Sequence, residues 1–279
     1  MRSKTIHLSE ADKKITGNFG ASNEPLILDQ EPETKLQTLK FYMAIQKNST
    51  TGILIISLVS FIVLIFAARR DNTSVKKPVS YNYLIYLPED YANDWLKDFP
   101  LMIYLHGSSL RGNDISKIKA YGPPYLIEKG RKFDFIIVSP QCPSGKSWNV
   151  ENWFAPLFKE LTSKYRIDTS RIYLTGMSMG GYGAWNTAME YPDKFAAVIP
   201  LCGGGNVKDV CKISNVPVWA FHSKDDDKVA FSETERLVEK LKKCNGNVKF
   251  TCLEGKGHAI QWIYEKEDVY KWMLEQQKH

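Results

Sequence analysis

From residue 80 onward the chain alternates short, almost unbroken apolar runs with longer segments of helical period. The runs cover residues 81–87, 101–106, 135–140, 171–175, 196–201, 216–222 and 247–253. Several lack the polar alternate positions of a half-exposed strand, which predicts parallel strands covered on both faces. Between them, residues 151–165, 181–190, 232–243 and 266–277 read as helices. Strand and helix in alternation predict an α/β sandwich, a mostly parallel central sheet with helices on both faces. No segment repeats.

The pattern breaks down before residue 80. Residues 1–50 are polar without sustained periodicity and read as a flexible arm. Residues 52–68, Gly-Ile-Leu-Ile-Ile-Ser-Leu-Val-Ser-Phe-Ile-Val-Leu-Ile-Phe-Ala-Ala, precede Arg69-Arg70. Counted from Asn48 the uncharged stretch runs for roughly 20 residues, enough at about 1.5 Å each to span a bilayer core. It has no polar face, against a buried core helix, and no small-residue cleavage site precedes Arg69, against a signal peptide. The expected organisation is an arm over 1–50, one transmembrane helix over 51–69, a polar linker over 70–79 and one globular domain over 80–279. Lys35, Lys40 and Lys47 flank one side of the span, and Arg69, Arg70, Lys76 and Lys77 the other, so the membrane side of the domain is undetermined.

Charge and cysteines change this picture little. The net charge of +6 is scattered, with lysines beside acids as in Glu265-Lys266-Glu267-Asp268. No basic run is interleaved with aromatics, which excludes nucleic acid as an expected partner. The five cysteines, at 142, 202, 211, 244 and 252, contain no Cys-x-x-Cys, so no metal site is expected. A Cys202–Cys211 or Cys244–Cys252 bridge is one reading, and free thiols are the other.

The chemistry concentrates in Ile172-Tyr-Leu-Thr-Gly176-Met-Ser178-Met179-Gly180-Gly-Tyr182. A strand running into Gly-x-Ser-x-Gly and then a helix holds a serine at the tip of a sharp turn. The flanking glycines remove side chains that would collide there, and the following helix aims N–H groups at a developing oxyanion. A serine hydroxyl needs a base. His7 lies in the arm and His279 ends the chain, while His106 and His222 end strands and read as loop supports. His258, on the glycine-rich loop after the last strand, comes last in chain order as such a base does. The acid belongs between them, where Asp225, Asp226 and Asp227 stand in a row; spacing does not choose. The loop after the strand at 101–105 supplies the second oxyanion donor, so the backbone N–H groups of Met179 and Ser108 form the hole.

These segments resemble the α/β-hydrolase superfamily, in particular bacterial phospholipase/carboxylesterase-like esterases related to dienelactone hydrolases, feruloyl esterases and polyhydroxybutyrate depolymerase-like enzymes. The resemblance is carried over about residues 80–277 by Leu105-His-Gly-Ser-Ser-Leu-Arg-Gly112, Val138-Ser-Pro-Gln-Cys-Pro143, Arg171 to Trp185, Pro217-Val-Trp-Ala-Phe-His222 and Gly257-His258. It implies Asp226 as the acid, because Val229-Ala230 occupies the family's Val-Pro position, although Ser223 replaces a usual glycine. It also sets Cys142 and Cys202 inside family motifs, against a dedicated bridge for them. The resemblance implies a membrane-anchored serine carboxylic-ester hydrolase once the apolar stretch is added, with a Ser178–His258–Asp226 triad and an acyl-enzyme intermediate, acting on a small-molecule ester. No cofactor, metal or obligate protein partner is implied. Trp148, Trp153 and Tyr182 are the expected pocket lining, and no long lid insertion separates the last strands, which points away from a true lipase. The same triad serves peptidases and thioesterases, and an inactive, membrane-anchored binding protein is the rival of another class.

Overall fold

In the computed structural model the described residues are Lys76 and residues 78–278. The arm and the apolar stretch at 51–69 lie outside them. Among the described residues no helix is long and apolar enough to cross a membrane.

Seven strands form one sheet: β1 Tyr83–Tyr86, β2 Phe99–Leu105, β3 Ile136–Pro140, β4 Ile167–Met177, β5 Ala197–Leu201, β6 Val218–Ser223 and β7 Val248–Leu253, in the order β1-β3-β2-β4-β5-β6-β7. All neighbours are parallel except β1, which runs antiparallel to β3. Among the described residues five α-helices accompany it: α1 Pro123–Glu128, α2 Phe154–Lys164, α3 Met179–Glu190, α4 Ser232–Lys243 and α5 Glu267–Leu274. The expected architecture is therefore present in this domain. Two differences stand out. Pro123-Pro124 opens a short helix, as proline does at a first turn, where none was expected, and β4 begins at Ile167, earlier than the apolar run alone suggests.

The unbroken apolar strands are buried on both faces because their residues split between two cores. Leu101, Ile103 and Leu105 of β2 pack on one side with Trp148, Trp153, Phe154, Trp185 and Leu237. Met102 and Tyr104 pack on the other with Ile137, Tyr173, Tyr264, Tyr270 and Met273. The two-residue period of a strand produces this division directly. Each fully buried Leu or Ile contributes about 1.5–3 kcal/mol, so the central strands form a stiff platform whose C-terminal edge carries the site.

A bridge joins Cys211 to Cys244, with Cα atoms 5.7 Å apart. This corrects both pairings expected from the sequence. The 3-10 turn Val210–Ile213 packs beside α4, and Cys244 follows the end of that helix. Cys142, Cys202 and Cys252 are free thiols.

Candidate active site

Ser178 occupies the single residue between β4 and α3, with φ 58° and ψ −119°. That left-handed backbone is costly for a side chain with a Cβ, and it holds because the surroundings leave no alternative. A Cβ on Gly176 would lie 2.4 Å from the Gly180 carbonyl oxygen, and one on Gly180 would lie 1.9 Å from that of Leu105. Only glycine at both positions lets the helix start so close to the strand ends. The Ser178 N–H donates to the Leu201 carbonyl at 3.0 Å, extending the β4–β5 ladder into the turn.

Ser178 Oγ lies 2.9 Å from His258 Nε2, and His258 Nδ1 lies 2.8 and 3.0 Å from the two Asp226 oxygens. The structure thus brings the three expected residues into one hydrogen-bonded line. Asp226 has no solvent-exposed side-chain surface, and His258 keeps 21%. Burial works to raise the Asp226 pKa, but the Val229 N–H, His258 and the Lys228 N–H outweigh it and hold the carboxyl below its ordinary value. It is therefore an ionised acceptor facing the imidazole. With Nδ1–H donated to Asp226, Nε2 is left to accept the serine proton, the tautomer that general-base chemistry requires.

The neighbouring acids serve other ends. Asp225 accepts from Ser223 Oγ at 2.5 Å and from the Lys256 and Gly257 N–H groups at 3.2 and 3.1 Å, bracing the loop that carries His258. Asp227 is exposed and pairs with Lys228 at 2.9 Å.

Ser108 opens the 3-10 turn Ser108–Leu110 after β2 and is exposed, and Met179 is the first residue of α3. A first-turn N–H has no acceptor within its own helix, so both groups can serve an incoming oxygen. The loop lies against the serine: a Cβ on Gly107 would be 3.6 Å from Ser178 Cβ. His106 fixes this loop while wholly buried. Its Nε2 accepts from the Cys142 N–H at 3.0 Å, and its Nδ1–H donates to the Gly107 carbonyl at 2.7 Å. Burial pushes its pKa down to about 4, so the ring is neutral near pH 7.

The expected lining is only partly in place. Tyr182, one turn beyond Ser178, is half-buried, with its hydroxyl donating to Glu233 Oε2 at 3.3 Å. Trp148 and Trp153, 1% and 2% exposed, are core residues and do not line the cleft. Trp148 Nε1–H donates to the His106 carbonyl at 3.0 Å, and Trp153 Nε1–H to the Trp148 carbonyl at 2.9 Å, so both rings back the loop instead. Two contacts have no sequence signal of their own. The Tyr121 hydroxyl accepts from the Gly107 N–H at 3.0 Å, and His222 Nε2 lies 3.2 Å from Asp226 Oδ2. A cavity of about 250 Å³ lies beside Tyr121, Tyr125, Gln261 and Tyr264.

Residues 146–271 match the dienelactone hydrolase family model. The bifunctional acetylxylan esterase/xylanase of Neocallimastix patriciarum is 27% identical over 56% of this chain and 23% of its own length. Poly(3-hydroxyalkanoate) depolymerase C of Paucimonas lemoignei is 31% identical over 38% of this chain and 28% of its own. The chain thus spans less than a third of these curated relatives. A crystal structure of a thermostable esterase superposes with a TM-score of 0.60 at 34% identity, covering 70% of this chain and 59% of that one. A ferulic acid esterase, at 19% identity and TM-score 0.54, shares the fold.

Proposed function

We propose that this chain is a serine carboxylic-ester hydrolase of the dienelactone hydrolase family, working through an acyl-enzyme and held at a membrane by residues 51–69. The observation that carries the reading is the continuous line from Ser178 Oγ through His258 to the buried Asp226, set on a strand-to-helix turn. In this reading His258 Nε2 takes the Ser178 proton as Oγ attacks the ester carbonyl, while Asp226 offsets the imidazolium charge. The Ser108 and Met179 N–H groups receive the oxyanion. His258 then gives its proton to the departing alcohol, and water, activated in the same way, releases the acid.

Short acyl groups are the favoured substrates. Support comes from the relatives named as acetylxylan esterases. The test is hydrolysis of p-nitrophenyl esters of increasing chain length by the purified protein beside Ser178→Ala. Loss of about a thousandfold or more in kcat in the variant, and a rate falling with acyl length, are expected. Equal rates in the two proteins would sink the reading.

The anchor is a proposal from the uncharged stretch at 51–68. The Cys211–Cys244 bridge supports placing the domain on the oxidising side of that membrane. The full-length protein is then expected to pellet with membranes and to be digested by external protease in intact cells. Recovery in the soluble fraction would overturn the anchor, and protection from the protease would overturn the side.

A further inference from the structure

We propose that His222 is a positioning residue for the triad acid, its Nε2–H holding the same Asp226 oxygen that His258 uses. The inference deepens the reading of Asp226 as the acid and rests on it.

His222 is the next-to-last residue of β6 and is wholly buried. Its Nε2 faces two oxygens, the Val229 carbonyl at 3.0 Å and Asp226 Oδ2 at 3.2 Å. A carbonyl only accepts, and an ionised carboxylate only accepts, so a ring nitrogen set between them carries the proton. The other edge of the ring is fixed from a different part of the fold. Nδ1 lies 2.7 Å from Thr234 Oγ1 in the first turn of α4, whose single hydroxyl proton is shared between that ring nitrogen and the Gly203 carbonyl beyond β5 at 2.5 Å. Phe231 closes the remaining side edge-on, with ring centres 5.6 Å apart. Asp226 and His258 are the titratable groups that act on the ring, and the contact from α4 is the uncharged Thr234 hydroxyl.

The arrangement divides the carboxylate's acceptor sites. Oδ1 takes the Lys228 and Val229 N–H groups, both at 2.9 Å. Oδ2 takes His258 at 2.8 Å and has His222 Nε2 3.2 Å away. With both oxygens occupied the carboxylate has one orientation, and the plane in which it holds His258 is set by β6 and α4 as well as by its own loop. Removing the His222 donor leaves a buried carboxylate short of one hydrogen bond and free to turn.

The test compares His222→Gln, which keeps an N–H donor at the reach of Nε2, with His222→Leu, which does not. In the full-length enzyme, kcat for p-nitrophenyl acetate is expected to fall about 10- to 100-fold in the leucine variant with KM little changed, and to stay within about threefold of wild type in the glutamine variant. The acid limb of kcat/KM is expected to move to higher pH in the leucine variant alone, because taking a donor away from Asp226 raises the proton affinity of the acid and the base it holds. Equal losses in both variants, or a leucine variant with the wild-type kcat and limb, would overturn the proposal. A second measurement needs neither activity nor a folded leucine variant. In ¹⁵N-histidine NMR of the full-length Ser178→Ala protein, His222 is expected to carry a slowly exchanging proton on Nε2, and a proton on Nδ1 alone would overturn the assignment even in a protein that hydrolyses no ester.

Discussion

His106 provides a test of the site that reads stability and not rate. The folded protein holds this ring with no exposed surface, clasped between the Cys142 N–H and the Gly107 carbonyl. Burial is the largest influence on it. The Gly107 carbonyl favours the charged form and Arg111 opposes it, and the net result is a pKa pushed down from 6.5 to about 4. The unfolded chain keeps the ordinary value near 6.5, so it binds a proton that the folded state refuses. The stability linked to His106 is therefore complete above about pH 6.5, is lost as the pH falls, and is exhausted near pH 4. The fall from 6.5 to about 4, at about 1.36 kcal/mol per pH unit, sets an upper limit of about 3.4 kcal/mol. Against a typical domain stability of about 5–15 kcal/mol, that is a large fraction. The assay is urea unfolding followed by tryptophan fluorescence at pH 7.5, 6, 5 and 4.5, on residues 72–279, wild type beside His106→Gln. The variant is expected to be the less stable at pH 7.5, and the gap should narrow by about 2–3 kcal/mol by pH 4.5. Parallel stability curves would refute the claim that a neutral His106 is built into the fold.

The geometry carries three further expectations. Asp226→Asn is expected to lower kcat by about 10³- to 10⁴-fold, whereas Asp225→Asn, which loosens the loop only from outside, should cost under about tenfold; reversed magnitudes would exchange their roles. Gly180→Ala drives a Cβ to 1.9 Å from the Leu105 carbonyl oxygen, so a loss of at least about 3 kcal/mol or a failure to fold is expected, and a variant with the wild-type urea midpoint would contradict it. Replacing Cys211 and Cys244 together by serine opens a crosslink with a sequence separation of 33, and a stability loss of about 3–4 kcal/mol by urea unfolding is expected; an unchanged midpoint would argue that the crosslink does not form in the protein.

How legible each feature is in the sequence depends on how local its cause is. Ser178 can be read because its conformation requires glycine at 176 and 180, where any Cβ strikes backbone. The continuous apolar runs can be read as parallel strands because both faces of β2 are covered. The acid is harder. Spacing offers three consecutive aspartates, and what separates them is the turn in which the Lys228 and Val229 N–H groups capture Asp226 Oδ1 while Asp225 turns to the His258 loop. Trp148 and Trp153 read wrongly as pocket lining because an aromatic in a core and one in a pocket look alike in a sequence. Only the assembled fold shows their N–H groups bonded to buried carbonyls. The Cys211–Cys244 pairing is invisible for the same reason, since it depends on a turn after β5 meeting the far end of α4.

The order of the strands explains why the site has this chain order. β4, β5, β6 and β7 are consecutive in sequence and adjacent in the sheet, and all four are parallel, so their following segments emerge at one edge. Ser178, Cys202, Asp226 and His258 come after them in turn. Ser178 and Cys202 both have a positive φ, 58° and 37°, strain of about 1–3 kcal/mol each. Each is held by a ladder bond carried past the strand end, Ser178 N–H to Leu201 at 3.0 Å and Cys202 N–H to Phe221 at 2.8 Å. His258 faces the opposite problem, because the loop after β7 must reach back past two strand positions to Ser178. Gly255 and Gly257, with φ of 64° and 57°, allow that path, and Asp225 ties its backbone from the loop after β6. The rigid half of the site is therefore made by the sheet and the reaching half by one braced loop. Weakening the brace should disturb the distance from His258 to Ser178 before it disturbs the serine itself.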